Sequence, residues 1–286
     1  MPAVLTCREV PANLRTFIKV MDLSNDKYVR VLMDLYKSYP GDKRSVAHSI
    51  AGGYCRNILA GLSEHTDLDI VPYNLRTMQE LLQENLEVIP EENFQDKYKI
   101  LDNEAHFAHG AITEEVDGVL HVVASPHTFD FTVNLASISC VDGCMYAPPA
   151  TLYDIKNRII RPCKCIDELY DLKNIINLPI ALRAIRFALK YNMKIYKPFM
   201  GSIIMLFALQ NYIQKTDDKA LYYFLKRMQR ETSDLRTRVY NALREMNFID
   251  TDKYSSFDDY MKYIQHRVAT EPRELPFATG EFGHYL

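Results

Sequence analysis

Gly52-Gly53-Tyr54-Cys55-Arg56-Asn57 is followed closely by Asp67-Leu68-Asp69-Ile70, which sets a candidate phosphate cradle beside a candidate metal-binding carboxylate pair. Leu68, Ile70 and Val71 predict a strand, and residues two apart on a strand project from the same face. Asp67 and Asp69 then point the same way, with Cα atoms roughly 6–7 Å apart. Such carboxylates offer hard oxygen ligands to Mg²⁺, with phosphates and waters completing the octahedron. Two ions about 3.5–4 Å apart would activate an attacking hydroxyl and stabilise a departing pyrophosphate. By itself, an Asp-x-Asp is also the pattern of a solvated strand edge or turn.

The preceding segment separates these alternatives. Ser45 to Ala51 reads as a short strand that runs into Gly52-Gly53 and then into an apolar-periodic stretch carrying Ile58, Leu59 and Leu62. Paired glycines at a strand-to-helix junction let backbone N–H groups approach a triphosphate, and a helix N-terminus favours anions. Arg56, one turn into that helix, reaches the same phosphates. Gly-Gly without the aspartates would be read as a tight turn.

The order Gly52-Gly53, Arg56, Leu59, Gly61, Asp67-Leu68-Asp69-Ile70 resembles the head of the bacterial-type poly(A) polymerase and CCA-adding tRNA nucleotidyltransferase family. Asp130-Phe131-Thr132-Val133-Asn134-Leu135-Ala136 is similar to that family's Asp-Phe-Thr-Ile-Asn-Ala segment. Asp154-Ile155-Lys156-Asn157-Arg158-Ile159-Ile160-Arg161 is similar to its Asp-Leu-Lys-Asn-Arg-Ile-Ile-Arg stretch, and Leu182-Arg183-Ala184-Ile185-Arg186-Phe187-Ala188 to the helix that opens its neck. The resemblance covers roughly residues 45–200. It implies an α+β fold: a polymerase-β-like nucleotidyltransferase head with a mixed sheet, then an all-α neck and shortened body. It also implies Mg²⁺ as cofactor, with two ions during catalysis, a nucleoside triphosphate (ATP first) as donor, and an RNA acceptor such as tRNA.

The chain departs from that pattern in places. Asn177-Leu178-Pro179-Ile180-Ala181 stands where the family carries an acidic base-reading element, Thr128-Phe129 replaces paired arginines, and Asn57 stands where Asp is usual, keeping hydrogen bonding without charge. The family's strand glutamate would align near His121. Asp130 is therefore taken as third carboxylate, because Asp130, Thr132 and Asn134 alternate with Phe129, Phe131 and Val133 on an expected strand. Its other role in the family is to hold the ribose. Glu114 and Glu115 are secondary substitutes, read first as turn residues, and His121 and His127 are read as structural or surface histidines. Arg183 and Arg186 share a helix face. Arg183 is assigned to the nucleotide, and Arg186 to the nucleotide or an ion pair between domains.

At 286 residues the chain can form two domains, and 48% hydrophobic with 25% charged residues is ordinary globular composition. Absence of a membrane-length apolar run or secretion-signal pattern predicts a cytoplasmic protein with no membrane partner. Cys7, Cys55, Cys140, Cys144, Cys163 and Cys165 are scattered, so reduced thiols are expected in preference to a zinc site. A net charge of −3 confines any nucleic-acid surface to patches. One patch is Lys156, Arg158, Arg161 and Lys164. The other is Lys226, Arg227, Arg230, Arg236, Arg238 and Arg244, with Tyr222, Tyr223 and Tyr240 able to stack bases or to fill core.

The expected organisation is an N-terminal helix and head over 1–147, a helical neck and body over 148–268, and an irregular tail over 269–286. The first helix is expected over about 12–38, strands at 45–51, 67–71, 119–124 and 128–134, a helix at 76–86 and a loop at 88–105. Phe199 to Ile213 reads as a buried packing helix. Leu152-Tyr153-Asp154-Ile155-Lys156-Asn157 is echoed by Leu169-Tyr170-Asp171-Leu172-Lys173-Asn174, too short an interval for a domain repeat. The function these residues support is transfer of a nucleoside monophosphate to an RNA 3′ end. The alternatives are transfer to a protein or small-molecule acceptor, and an inactive head retained for RNA binding.

Overall fold

The computed structural model describes residues 14, 16–63, 66–90, 97–108, 110–116, 118–163, 177–213, 218–249 and 253–270. Two compact units divide between Asn157 and Arg158. The echoed 169–174 segment, Cys7, Lys164, Cys165 and the tail from 271 on lie outside the described residues. No helix among the described residues is long and apolar enough to cross a membrane.

The first unit opens with β1 (Ile18–Asp22) and α1 (Lys27–Ser38). The continuous helix expected over 12–38 is therefore interrupted. Ile18–Asp22 pairs with β10 (Cys144–Ala147), and Asp26 caps α1 by accepting from the N–H groups of Tyr28 and Val29. Sheet pairing and a cap that starts a helix anew override the apolar pattern that runs across both.

β2 (His48–Ala51) leads into α2 (Gly53–Ala60), then β3 (Leu68–Pro72) and α3 (Leu75–Asn85). These fall within a few residues of expectation; Met78, Leu81 and Leu82 form the buried face of α3. Before β2, Lys43–Val46 is a 3-10 turn where the strand was expected to begin. The segment 88–105, expected as a loop, contains strand structure instead. β4 (Glu87–Ile89), β5 (Lys97–Ile100) and β6 (Asn103–Phe107) form successive antiparallel pairs, and β6 then runs parallel to β3. Tyr98, Ile100, Ala105 and Phe107 are buried, and Lys99 and Glu104 between them are exposed, the alternation of strands with one packed face.

A hairpin of β7 (Ala111–Val116) and β8 (Val119–Ala124) follows, then β9 (Ser137–Ser139) and β10, giving a mixed eight-stranded sheet ordered β1-β10-β9-β2-β3-β6-β5-β4. Glu114 and Glu115 lie in β7, opposite His121 and Leu120, and not in a turn. The strand expected at 128–134 is absent. Thr128 and Phe129 turn back on the Ser125 carbonyl, and Thr132–Asn134 is a 3-10 turn. The Thr132 hydroxyl donates to Asp154 at 2.6 Å and the Thr151 hydroxyl to the Thr132 carbonyl at 2.8 Å. Both partners lie on α4 (Pro149–Asn157), so the backbone at 132 is committed to a helix and cannot join the sheet.

Ser49, Ser137 and Ser139 are buried where β8 crosses β2 and β9. Ser49 donates to the Val122 carbonyl, Ser137 accepts from Ala124 N–H at 2.9 Å, and Ser139 shares a 2.9 Å hydrogen bond with His121. His121 also lies against Tyr146, ring centroids 4.3 Å apart, and is fully committed to this packing.

The second unit contains β11 (Ile159–Ile160) paired with β12 (Lys194–Ile195), and helices α5 (Asn177–Lys190), α6 (Lys197–Ile213), α7 (Asp218–Met228), α8 (Ser233–Glu245) and α9 (Phe257–Thr270). α6 is only half a packing helix. Phe199, Ile203 and Phe207 are buried, whereas Ile204 and Met205 are exposed.

Replacing Ser137 by Ala strands a buried backbone N–H. The expected loss is about 1–3 kcal/mol of unfolding free energy, read by urea denaturation, and larger than for Ser38→Ala on exposed helix surface.

Candidate active site

Gly52 lies between β2 and α2 with φ 70° and ψ −131°, a conformation that disfavours any side chain. A Cβ there would overlap Oδ2 of Asp69. The backbone at the head of α2 is thus pressed onto one oxygen of the carboxylate. Asp69 pairs with Ala51 on β2, the residue immediately before Gly52, so strand register sets this approach. Gly53 differs: a Cβ would meet Arg56 Nη2 and Thr66 at ordinary contact distance, 3.5 Å. Among the described residues no contact requires glycine at that position, which is consistent with a ligand using the space.

Arg56 is 2% exposed. Its guanidinium donates through Nε and Nη2 to Asn57 Oδ1, at 3.2 and 3.0 Å, and through Nη1 to Asn134 Oδ1 at 3.0 Å. These amide oxygens orient the cation beside Gly53 without neutralising it. Asn57 thus accepts from Arg56 as an uncharged amide, where the sequence pattern it resembles has an acid. Asp130, Thr132 and Asn134 are all buried, but they occupy a turn and a 3-10 segment and do not share a strand face. Asn134 is brought to Arg56, while Thr132 is fastened to Asp154.

Asp67 is exposed just ahead of β3, and Asp69 is half-buried within it. The buried residues between and after them are Leu68 and Ile70, so the two acids fall on the side opposite this packing. The residue in register with Asp69 on parallel β6 is His106, whose Nε2 lies 2.8 Å from Asp69 Oδ1. Burial pushes the His106 imidazole down, but the hydrogen bond to Asp69 and the charges of Asp69 and Asp67 outweigh it, and the net displacement is upward. The sequence assigns Asp130 as the third carboxylate, the family's strand glutamate aligning near His121, whereas the side chain the structure brings to Asp69 is His106. His106 lies just past the loop expected over 88–105 and carries no local signal, and only the register of β6 brings it to Asp69.

The donor set fits a divalent cation. Asp67 and Asp69 supply hard oxygens, and Oδ2 of Asp69 faces a glycine cradle that any Cβ would fill. Among the described residues no three His, Cys, Asp or Glu side chains are already gathered for a metal. Phosphate and water would have to complete the shell. Burial pushes the Cys140 thiol up to about 12 and the Cys55 thiol upward as well, so both are held protonated.

Arg183 and Arg186 lie on α5 in the helical unit. Arg186 is 6% exposed and donates to Glu231 Oε1 through Nε and Nη2 at 2.9 and 2.6 Å; Lys190 reaches Oε2 at 3.3 Å. The ion pair expected between domains is therefore formed inside this unit. Arg183 is half-buried, 5.7 Å from the Phe187 ring centroid. Burial, with Arg186 and Arg183 nearby, lowers Arg227 to about 10. In the basic patches, Arg161 lies 4.3 Å from the Tyr196 ring and Arg238 donates to the Leu189 carbonyl. Tyr240 is core, its hydroxyl donating to the Tyr254 carbonyl, whereas Tyr223 is exposed.

No family model and no curated protein matches this sequence. Among solved structures, it is similar to a tRNA-processing enzyme in an apo form, with 22% identity, TM-score 0.59 and coverage of 84% of this chain and 61% of that one. It is similar to an apo CCA-adding enzyme at 18% identity and TM-score 0.60, covering 81% and 56%. A Thermotoga maritima CCA-adding enzyme complexed with tRNA matches at 19% identity and TM-score 0.58, covering 81% and 55%. The chain thus spans between 55 and 61% of the length of these proteins. The likeness shows the fold alone: an α+β unit built on a mixed sheet, followed in the chain by a helical unit.

Gly53→Ala should leave the ligand-free protein as stable as wild type, or raise its stability by about 0.5–1 kcal/mol, because Ala is favoured over Gly in a helix and the space exists. Triphosphate binding, followed by calorimetry, should nonetheless weaken. Gly52→Ala should destabilise the protein. For Glu231, burial alone would raise the carboxyl, but Arg186 and Lys190 hold it below its ordinary 4.5. Its stabilising contribution is then present above the unfolded value and lost as pH falls through the lower folded one. Thermal unfolding below pH 4.5 should show this loss in wild type and not in Glu231→Gln.

Proposed function

We propose that the chain is a Mg²⁺-dependent nucleotidyltransferase that adds a nucleoside monophosphate to an RNA 3′ end, with tRNA as the first candidate acceptor and ATP as the first candidate donor. The observation that carries this reading is the contact of the Gly52 backbone with Asp69, which puts an anion seat and a cation-binding carboxylate in one place. In it, the α2 N-terminus at Gly52 and Gly53 receives the triphosphate, and Arg56, oriented by Asn57 and Asn134, faces the phosphates. Asp67 and Asp69 would hold a divalent ion, which when bound would supply charge neutralisation for the triphosphate and the leaving pyrophosphate. Asp130 and Thr132 support the sugar, with Thr132 immobilised by Asp154. The acceptor hydroxyl displaces pyrophosphate from the α-phosphorus, and positioning with electrostatic complementarity provides the rate. The solved CCA-adding enzymes include complexes with ATP and with CTP, which supports a nucleoside triphosphate as the ligand here. The protein acts in the cytoplasm.

One observation favours a different acceptor. Leu178 and Ala181, where the family carries its base-reading acids, are buried. Leu178 and Ala181 give that turn of α5 a packing role, which fits transfer to a protein or a small molecule.

Incubation with Mg²⁺, each labelled nucleoside triphosphate and total RNA should label RNA, and the Asp67→Ala, Asp69→Ala double variant should lose that label. Label on protein would favour the other acceptor, and no label with any metal or nucleotide would overturn the transferase reading. RNA binding through the basic patches should weaken steeply between 50 and 200 mM salt, by about ten-fold or more for a few phosphate contacts, in a filter-binding titration. A flat response would remove RNA as the acceptor.

A further inference from the structure

The two oxygens of Asp69 have different neighbours. Oδ2 faces Gly52 and the anion seat, whereas Oδ1 lies 2.8 Å from His106 Nε2. β6 is the strand beside β3 on the side away from β2, and His106 is its residue in register with Asp69. A carboxylate at that register would join Asp67 and Asp69 in one acidic group. The chain has an imidazole there, with Lys97 adding positive charge nearby.

Resting on the nucleotidyltransferase reading, we propose that His106 is a positioning residue that holds Asp69 by Oδ1, directs Oδ2 to the seat, and leaves a centre that binds one divalent ion with the nucleotide in place of two.

Two observations separate this role from that of a metal ligand. A ligating histidine almost always donates its other ring N–H to a carboxylate, carbonyl or water, which fixes the ring. His106 Nδ1 is buried with no hydrogen-bond partner. Its Nε2, the nitrogen that could face a metal, is directed at Asp69 Oδ1. The second consideration is charge. Two dications about 3.5–4 Å apart repel each other strongly and require several carboxylates between and around them. Here Asp67 and Asp69 are the acids at β3, and one oxygen of Asp69 is engaged by an N–H donor. One ion accompanied by triphosphate oxygens satisfies this arrangement.

The test counts ions directly. Mn²⁺ is titrated into the full chain with a non-hydrolysable ATP analogue, and bound Mn²⁺ is read by electron paramagnetic resonance. Wild type should bind one Mn²⁺ per chain, and His106→Glu should bind a second. His106→Ala should weaken the single ion by about 10–100-fold, the usual effect of removing a group that orients a metal ligand. His106→Gln, whose amide N–H can donate to Asp69, should recover most of that loss. Two ions of similar affinity in wild type, or unchanged Mn²⁺ affinity in His106→Ala, would overturn the proposal. If His106→Glu does not fold, the wild-type count and the Ala and Gln comparison decide it. Absence of any analogue-dependent Mn²⁺ binding in wild type would instead overturn the nucleotide site itself, and the proposal with it.

Discussion

The approach of a bare backbone to a carboxylate organises this protein. Gly52 lies against Asp69 because β2 and β3 are paired in a register that puts Ala51 beside Asp69, and because the next residue turns into α2 with a positive φ. Neither element can shift by one residue without either turning Asp69 to the opposite face of the sheet or forcing a side chain into its oxygen. The site is therefore held by backbone geometry. Its electrostatics follow from the same geometry: an orphan N–H cluster at a helix start, a cation on that helix, and acids on the adjacent strand.

Supporting contacts radiate from this centre. Arg56 ties α2 to the 3-10 turn through Asn134, and that turn is tied to α4 through Thr132, Thr151 and Asp154. The three buried serines secure the β7–β8 hairpin across β2 and β9. Every one of these links joins polar groups that would be costly to bury singly. The head thus places much of its polar inventory in its interior, where misplacement by an ångström would leave donors and acceptors unmatched.

The helical unit follows a different logic. α5 is pinned by one acid, Glu231, that receives both Arg186 and Lys190, while Arg227 bears the repulsion of Arg183 and Arg186. The apolar residues where the family carries its base-reading acids make packing, and not base pairing, the contribution of that turn of α5.

Local patterns carried much of the site. Gly-Gly before an apolar-periodic run, Asp-x-Asp within β-branched residues, and Met78, Leu81 and Leu82 at helical spacing each express a short-range periodicity. The structure accordingly has β2, α2, β3 and α3 within a few residues of where these patterns put them. What tertiary structure alone decided lies where the partner is distant in sequence. Asn103 to Phe107 is a strand because β3 accepts it in parallel, and 128–134 is a turn because α4 claims Thr132. His106 meets Asp69 because two strands separated by a helix and two further strands happen to share a register. Side-chain alternation and capping act over one or two turns of chain and can be read from the residues themselves. Strand register is set by packing across the whole sheet, and no local signal encodes it.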